Sequence, residues 1–558
     1  MNSGKKDLVI FTGQSGIKIE NCINRLKHSG LDFHLVPLDK YIPEVGGEKK
    51  IGKKKFVEVL GSPPSIQSSL WTQTFEQIQN TRQLESTKHD FTFLTFHACY
   101  YHQKKTEFVC PVNLNQLMKL KDRTKMIIVL IDDCYDIYRR LMDKGQMYEY
   151  VLNSDDSLNT LLESFYNITN LLTWREIEIA FSRKIAQLLN VPMYVISVKH
   201  PHFMISRLIS EPKESLKILY LSHPISVIRR QVSFARLSEF YSDLSSFIKD
   251  ALKPDNVVLF VPDTIDECRI KQEKNGSTLY IPEPLPGWLL PFSDRLLSEP
   301  LPSKLENINP LNPMRFKYFT ATTDTKSAIS SSLRILDNRI RNQINSRDFT
   351  LVEQSKDGVL VYRPYLAAST HSGVQEEMIY NRDLRVQYGE KKRKTFIITT
   401  QEDLGKLRIK KLFTLIEDSD TLPNTANAKE VKESLQALCE KWLVNPTKVL
   451  EFYSNSFSID NTREAIEKVL PDGYNFIKDV VAKESSALTS GKMLQQAEQK
   501  ERGWAGILEQ VAEEDPLIQY ASEKGILLSS SDSYDKDVNT FIRDIISKKS
   551  TEDESGGE

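Results

Sequence analysis

Four short runs dominated by apolar residues, LVIF from Leu8, FTFLTF from Phe91, MIIVLI from Met126 and MYVISV from Met193, are separated by amphipathic stretches long enough for helices. A short apolar run without polar alternation suits a strand covered on both faces, and such strands joined by helices build parallel α/β sheets. The pattern stops at EPKES, near Glu211, and restarts with LKILYLS from Leu216, VVLFV from Val257 and GVLVY from Gly358. Two successive α/β blocks are therefore expected, residues 1–210 and 216–395, each a parallel sheet between helical layers.

Within the second block, Val227 to Leu252 has helical spacing, and residues 281–313 form a proline-rich stretch, IPEPLPGWLLPFSDRLLSEPLPSKLENINPLNP. Those prolines forbid an ordinary helix or central strand and predict a long insertion loop that could cover a site. Beyond Leu404 the strand signals fade, and AKEVKESLQALCEKWL and TREAIEKVL carry helical periodicity. A mainly helical region is expected over 400–545, able to pack on the α/β blocks, form an oligomer or bind a partner, with a disordered polar tail over 546–558.

The 558 residues carry 74 basic and 75 acidic side chains. That balance argues against a dominant basic footprint, so no nucleic-acid partner is expected. Six cysteines lie along the chain without a CxxC pair or metal-ligand spacing, which predicts reduced thiols, no cysteine metal site and a cytoplasmic protein. The opening MNSGKKDLVIFTG is too short in apolar residues for a signal segment, and no run reaches the ~20 residues that span a bilayer. No membrane association is expected.

LVIFTGQSGIKIENCINRL has the layout of strand, glycine turn and helix that binds phosphate through successive backbone N–H groups. The full motif is GxxxxGK followed by Ser or Thr. Here the order runs Gly13, Gln14, Ser15, Gly16, Ile17, Lys18, Ile19: the lysine comes one residue early, the glycine before it is missing, and Ile19 replaces the hydroxyl that would hold Mg²⁺. Met126 to Ile131 then leads into Asp132 and Asp133, as in a strand whose end carries magnesium-binding carboxylates, followed by Tyr135, Arg139 and Arg140. Over residues 7–205 this block resembles the P-loop nucleotide kinases of the adenylate kinase type, which implies Gly13, Ser15, Gly16, Lys18, Asp132 and Asp133 as nucleotide-binding residues and ATP with Mg²⁺ as ligands. The competing structural reading is that the glycines only make a tight turn and the two aspartates cap the next helix. Thr173, Trp174, Arg175 and Glu176 open another amphipathic helix and carry no assigned role.

In the second block, KILYLSHPISVIRR ends a strand on Ser222 and His223, at the edge where open α/β sheets place ligands. Later, Asp357 precedes GVLVY, and His371, Ser372, Gly373, Val374, Gln375, Glu376, Glu377, Met378, Ile379, Tyr380 lead into a helix. This layout resembles the nucleoside 2-deoxyribosyltransferase family, whose closing motif is DxGxxxE followed by an aliphatic residue and Tyr-Ala. Gly373 and Glu377 stand at the family's spacing, and Met378 and Tyr380 match the positions that follow. The resemblance implies that Glu377 is the nucleophile that attacks C1′ of a nucleoside, with Asp357 helping to position the base and Ser222, His223, Gly373 and Tyr380 around the substrate. The family's aspartate six residues before the nucleophile is His371 here, a residue able to protonate a leaving base near neutral pH.

Structural alternatives attach to each residue: Glu377 as a surface glutamate in a helix's first turn, Asp357 as a turn residue, His223 as a packed histidine. Around Asp263 and Thr264, a capping box formed by Thr264 and Glu267 competes with a sugar contact. The function expected is an N-glycosidic-bond transferase or hydrolase coupled to a nucleotide-binding domain. The alternatives are a nucleotide-sensing protein that has lost catalysis, and an active nucleotide kinase.

Overall fold

A computed structural model of the chain describes most of residues 6–46, 59–144, 157–225, 244–280, 323–362 and 373–400, together with 526–528. In chain order the first elements are β1 (Leu8–Thr12), α1 (Ile19–Leu26), β2 (Phe33–Pro37), α2 (Leu38–Gly46), α3 (Pro64–Asn80), β3 (Phe91–Thr95), β4 (Tyr100–His102) and β5 (Glu107–Val109). They are followed by α4 (Leu114–Met118), β6 (Thr124–Ile131), α5 (Cys134–Met142), α6 (Ser157–Leu189), β7 (Met193–Ser197) and α7 (His202–Ser210). Then come β8 (Lys217–Ser222), β9 (Val257–Phe260), β10 (Arg269–Glu273), β11 (Gly276–Tyr280), α8 (Thr323–Gln354), β12 (Gly358–Tyr362), α9 (Gly373–Gln387), β13 (Lys394–Thr400) and β14 (Ile526–Leu528).

The first sheet has the order β2-β3-β1-β6-β7, and all of its pairings are parallel. Its central strands are the apolar runs of the sequence: Leu8 to Phe11 and Ile127 to Leu130 are wholly removed from solvent. Burying each such aliphatic side chain contributes about 1.5–3 kcal/mol. On one face, Trp71 of α3 stacks on Phe75 with centroids 5.2 Å apart and meets the Phe96 ring edge-on at 5.8 Å. The second sheet has the order β14-β13-β12-β8-β9, with the β8–β9, β12–β13 and β13–β14 pairs parallel. Two parallel α/β sheets are thus present, as expected.

Two compact units form, Met1–Tyr220 with Ser238–Asp357, and Leu221–Leu237 with Gly358–Glu558, so the cut falls inside β8. The first unit keeps α8 because Gln354 at its end pairs with the edge strand β7 through both amide atoms: Val195 N–H donates to Gln354 Oε1 at 2.8 Å, and Gln354 Nε2 donates to the Val195 carbonyl at 2.9 Å. A side-chain amide therefore closes an edge that would otherwise stay unpaired.

Other expectations are corrected. The turn after β9 is a single 3-10 turn, Pro262–Thr264, followed by the antiparallel β10–β11 hairpin, and Thr264 Oγ1 donates back to the Val261 carbonyl at 2.9 Å. Glu267, the partner expected to complete a capping box with Thr264, lies outside the described residues. β13 runs past residue 395, and β14 lies within the stretch expected to be helical. The proline-rich stretch 281–313, most of the helix expected over Val227–Leu252, the tail and the remainder of 401–545 lie outside the described residues. No helix among the described residues is long and apolar enough to cross a membrane.

Candidate functional site

In the first sheet β1 lies between β3 and β6, and the chain runs outward to β2, returns through β3 and then crosses to β6. The carboxyl ends of β1, β3 and β6 therefore meet at a topological switch point, where open parallel sheets leave a crevice for ligands. The loop Gly13 to Lys18 is at that point. Gly13, Ser15 and Gly16 are buried, whereas Lys18 is exposed at the start of α1. A side chain at Gly13 would place a Cβ 2.8 Å from the Leu130 carbonyl. Gly16 has φ +91°, and a Cβ there would meet Ile137 and Leu141 at 3.0 Å. Both glycines are thus required for close packing of the turn on β6 and α5.

The Gly13 N–H, the donor a phosphate oxygen would take, donates instead to Glu178 Oε1 at 3.0 Å. Glu178, on α6, also accepts the Ala98 N–H at 2.8 Å through Oε1 and the Cys99 N–H at 2.8 Å through Oε2. Three backbone N–H groups from the ends of β1 and β3 thus form an anion nest, filled by the chain's own carboxylate. Burial pushes this carboxyl up to about 7, against the opposing pull of His97 and the three N–H groups.

His97 ties the nest to a second group: its Nδ1–H donates to the Gly13 carbonyl, and its backbone N–H donates to Asp39 Oδ2 at 2.9 Å. Tyr100 donates its hydroxyl to Asp39 Oδ1 at 2.5 Å. Burial raises Asp39 above the usual carboxylate range, opposed by His97 and Tyr100.

Asp132 and Asp133 follow β6, as the sequence predicted, and with Asp136 they present carboxylate oxygens within 4.8 Å of one another. The cluster is already charge-compensated. Lys199 Nζ donates to Asp133 and lies 3.8 Å from Asp136, and Arg140 donates to Asp132 Oδ2 at 2.7 Å and to the Gly16 carbonyl at 3.1 Å. Arg175 on α6 donates to the Asp132 carbonyl at 2.9 Å. Burial works against the Lys199 charge, but Asp133, Asp132 and Asp136 outweigh it and hold the ammonium form. These residues do not fit Mg²⁺-ATP: the metal-binding hydroxyl is Ile19, both carboxylates have cationic partners, and the first phosphate donor is occupied.

In the second unit, Ser222 closes β8, and Glu377 lies one turn into α9. Ser222 is fully buried, Glu377 is 7 % exposed, and the Ser222 hydroxyl donates to Glu377 Oε2. Glu377 is thus not a surface glutamate. Its neighbour Glu376 is exposed, because adjacent helical positions point about 100° apart. One turn on, Asn381 is buried and donates through Nδ2 to Thr395 Oγ1 of β13 at 2.9 Å, which fixes the helix on its sheet. His223 is buried next to Ser222, Tyr380 is half-buried, and Gly373 is exposed at the start of α9. His371 lies outside the described residues.

Asp357 contacts the start of β8. Its Oδ2 accepts the Ile218 N–H at 2.7 Å and its Oδ1 lies 3.7 Å from Lys217 Nζ, at the amino end of β8. Ser222 is four residues further along that strand, about 13 Å at the usual rise. The aspartate before this parallel strand thus satisfies the Ile218 N–H at the start of its neighbour.

Sequence reasoning missed Glu178, His97, Asp39 and Lys199. For Glu178 a signal exists: Leu171, Trp174, Arg175, Glu178, Ser182, Ile185 and Leu189 follow one helical stripe and are all buried, so two charged residues interrupt an apolar face. No protein-family model matches the chain, and no curated protein matches it significantly.

Proposed function

We propose that the chain is an enzyme of the N-glycosidic bond, a nucleoside or nucleotide deoxyribosyltransferase or hydrolase, with Glu377 as its nucleophile. The observation that carries this reading is the buried Glu377 carboxylate held by the Ser222 hydroxyl at the end of β8. A carboxylate removed from water is weakly solvated and oriented, as attack on an anomeric carbon requires. In the reaction, a Glu377 oxygen forms a bond to C1′ as the bond from C1′ to the base nitrogen breaks and the base departs with the bonding pair. Ser222 orients the attacking oxygen, and His371 is the candidate proton donor to the leaving base. Water or a second base then displaces the glycosyl ester and regenerates the carboxylate.

The test is to trap that ester. Incubation with a nucleoside and no acceptor base, followed by acid quench and peptide mass mapping, is expected to place one glycosyl group on the peptide containing Glu377. An unmodified peptide under conditions of base release would refute the covalent route.

A second reading concerns the first unit, and Glu178 favours it. With the aspartates paired this unit is not a phosphotransferase, and a nucleotide acts on it as a regulatory ligand by displacing Glu178 from the nest. Calorimetric titration with nucleoside mono- and triphosphates tests it: binding without phosphate transfer supports it, and magnesium-dependent transfer abolished by Lys18→Ala refutes it. A cytoplasmic setting agrees with the free thiols of Cys22, Cys99, Cys110 and Cys134.

A further inference from the structure

Beside the Glu178 nest, β4 and β5 form an antiparallel hairpin with Tyr100 opposite Val109, Tyr101 opposite Phe108 and His102 opposite Glu107. Continuing this register by one position sets Cys99 opposite Cys110. Directly opposed residues of an antiparallel pair have Cα atoms about 4.5–5.5 Å apart, within the roughly 4.4–6.8 Å that a disulfide spans. The two sulfurs lie close enough to perturb each other, while the Cys99 thiol donates to the Tyr100 carbonyl at 3.8 Å.

The two thiols are not equivalent. Cys99 is buried, and its backbone is fixed on both sides, its N–H donating to Glu178 at 2.8 Å and its carbonyl accepting the Trp174 indole N–H at 2.8 Å. Cys110 is half-buried, within reach of a small oxidant. The neighbouring Cys99 sulfur lowers Cys110, and Cys110 together with burial raises Cys99. An accessible, activated cysteine beside a buried partner is the arrangement of a peroxide-sensing pair.

We infer that Cys110 and Cys99 are a peroxide-reactive dithiol, in which Cys110 is oxidised first and Cys99 resolves it to an intramolecular disulfide. The Cys110 thiolate attacks one oxygen of hydrogen peroxide and the O–O bond breaks, leaving a sulfenic acid and hydroxide, which becomes water with the proton released from Cys110. The Cys99 sulfur then attacks the Cys110 sulfur, the S–O bond breaks, and the hydroxyl leaves as a second water with the Cys99 proton. One peroxide is reduced and two thiols become one disulfide. The bond would form on the residue that donates to Glu178, so the oxidation state is reported directly to the nest.

The full chain is exposed to stoichiometric hydrogen peroxide at neutral pH, quenched with an alkylating agent and mapped by peptide mass spectrometry. The expected result is a linked Cys99–Cys110 peptide pair, with Cys110 consumed at least about tenfold faster than the buried Cys22 or Cys134. Cys99→Ser and Cys99→Ala are both expected to accumulate sulfenic acid at Cys110, captured by dimedone, and Cys110→Ser is expected to leave Cys99 reduced. The wild-type measurement stands without any variant. Oxidation of Cys110 no faster than Cys22 and Cys134, or a linked pair between other cysteines, would overturn the inference.

Discussion

The Glu178 carboxylate accepts the Gly13 N–H at 3.0 Å, joining the middle of a 33-residue helix to the glycine turn after the first strand. With the Ala98 and Cys99 N–H groups it completes an internal substitute for a bound anion. Glu178→Ala would strand three buried donors and is expected to lower stability by about 3–5 kcal/mol. Urea denaturation measures the loss.

The same carboxyl makes stability depend on pH. Its pKa is pushed up to about 7 from an ordinary value of 4.5, so the folded state holds the proton more tightly than the unfolded chain does. That contribution is complete below pH 4.5 and is lost as pH rises through 7, up to about 3 kcal/mol in all. Glu178→Gln is expected to lose this dependence, so its stability relative to wild type should rise between pH 4.5 and 7.5. A difference constant over that range would contradict the assignment. His200 works in the opposite sense: burial pushes it down to about 3 from 6.5, so its contribution is present above pH 6.5 and is lost as pH falls toward 3.

Lys199 compensates the carboxylates after β6, so Lys199→Met removes the ammonium that pairs with Asp133 and Asp136 and leaves Arg140 on Asp132. A loss of about 3–5 kcal/mol is expected. Millimolar Mg²⁺ or Ca²⁺ should recover part of it in the variant and leave wild type unchanged. Thermal denaturation with and without the cation measures both effects.

Ser222 orients Glu377, so Ser222→Ala is expected to lower the rate of base release by about 10–100-fold, the value of a hydrogen bond to a charged group. Asp357→Ala should leave that rate unchanged and cost about 1 kcal/mol, because Asp357 caps the start of β8. Steady-state kinetics on both variants separates the two ends of the strand.

The sheets were legible because each central strand is a run of residues covered on both faces: LVIF, MIIVLI and VVLF became β1, β6 and β9. The edge strand Phe33–Pro37 was not, since His34 and Pro37 interrupt its apolar character. For Asp357, sequence shows that it precedes a strand but not that its carboxylate accepts the Ile218 N–H of the neighbouring strand. Glu178 was hidden because a buried glutamate's partners come from residues about 80 and 165 positions away.

The central claim is most directly tested by release of free base from nucleosides, deoxynucleotides and NAD, with and without an acceptor base, by wild type and Glu377→Gln side by side. Liberated or exchanged base with wild type, and a rate at least about 10³-fold lower with the glutamine variant, is the predicted result. Equal rates for the two proteins, or no base released or exchanged by wild type from any of these substrates, would contradict it.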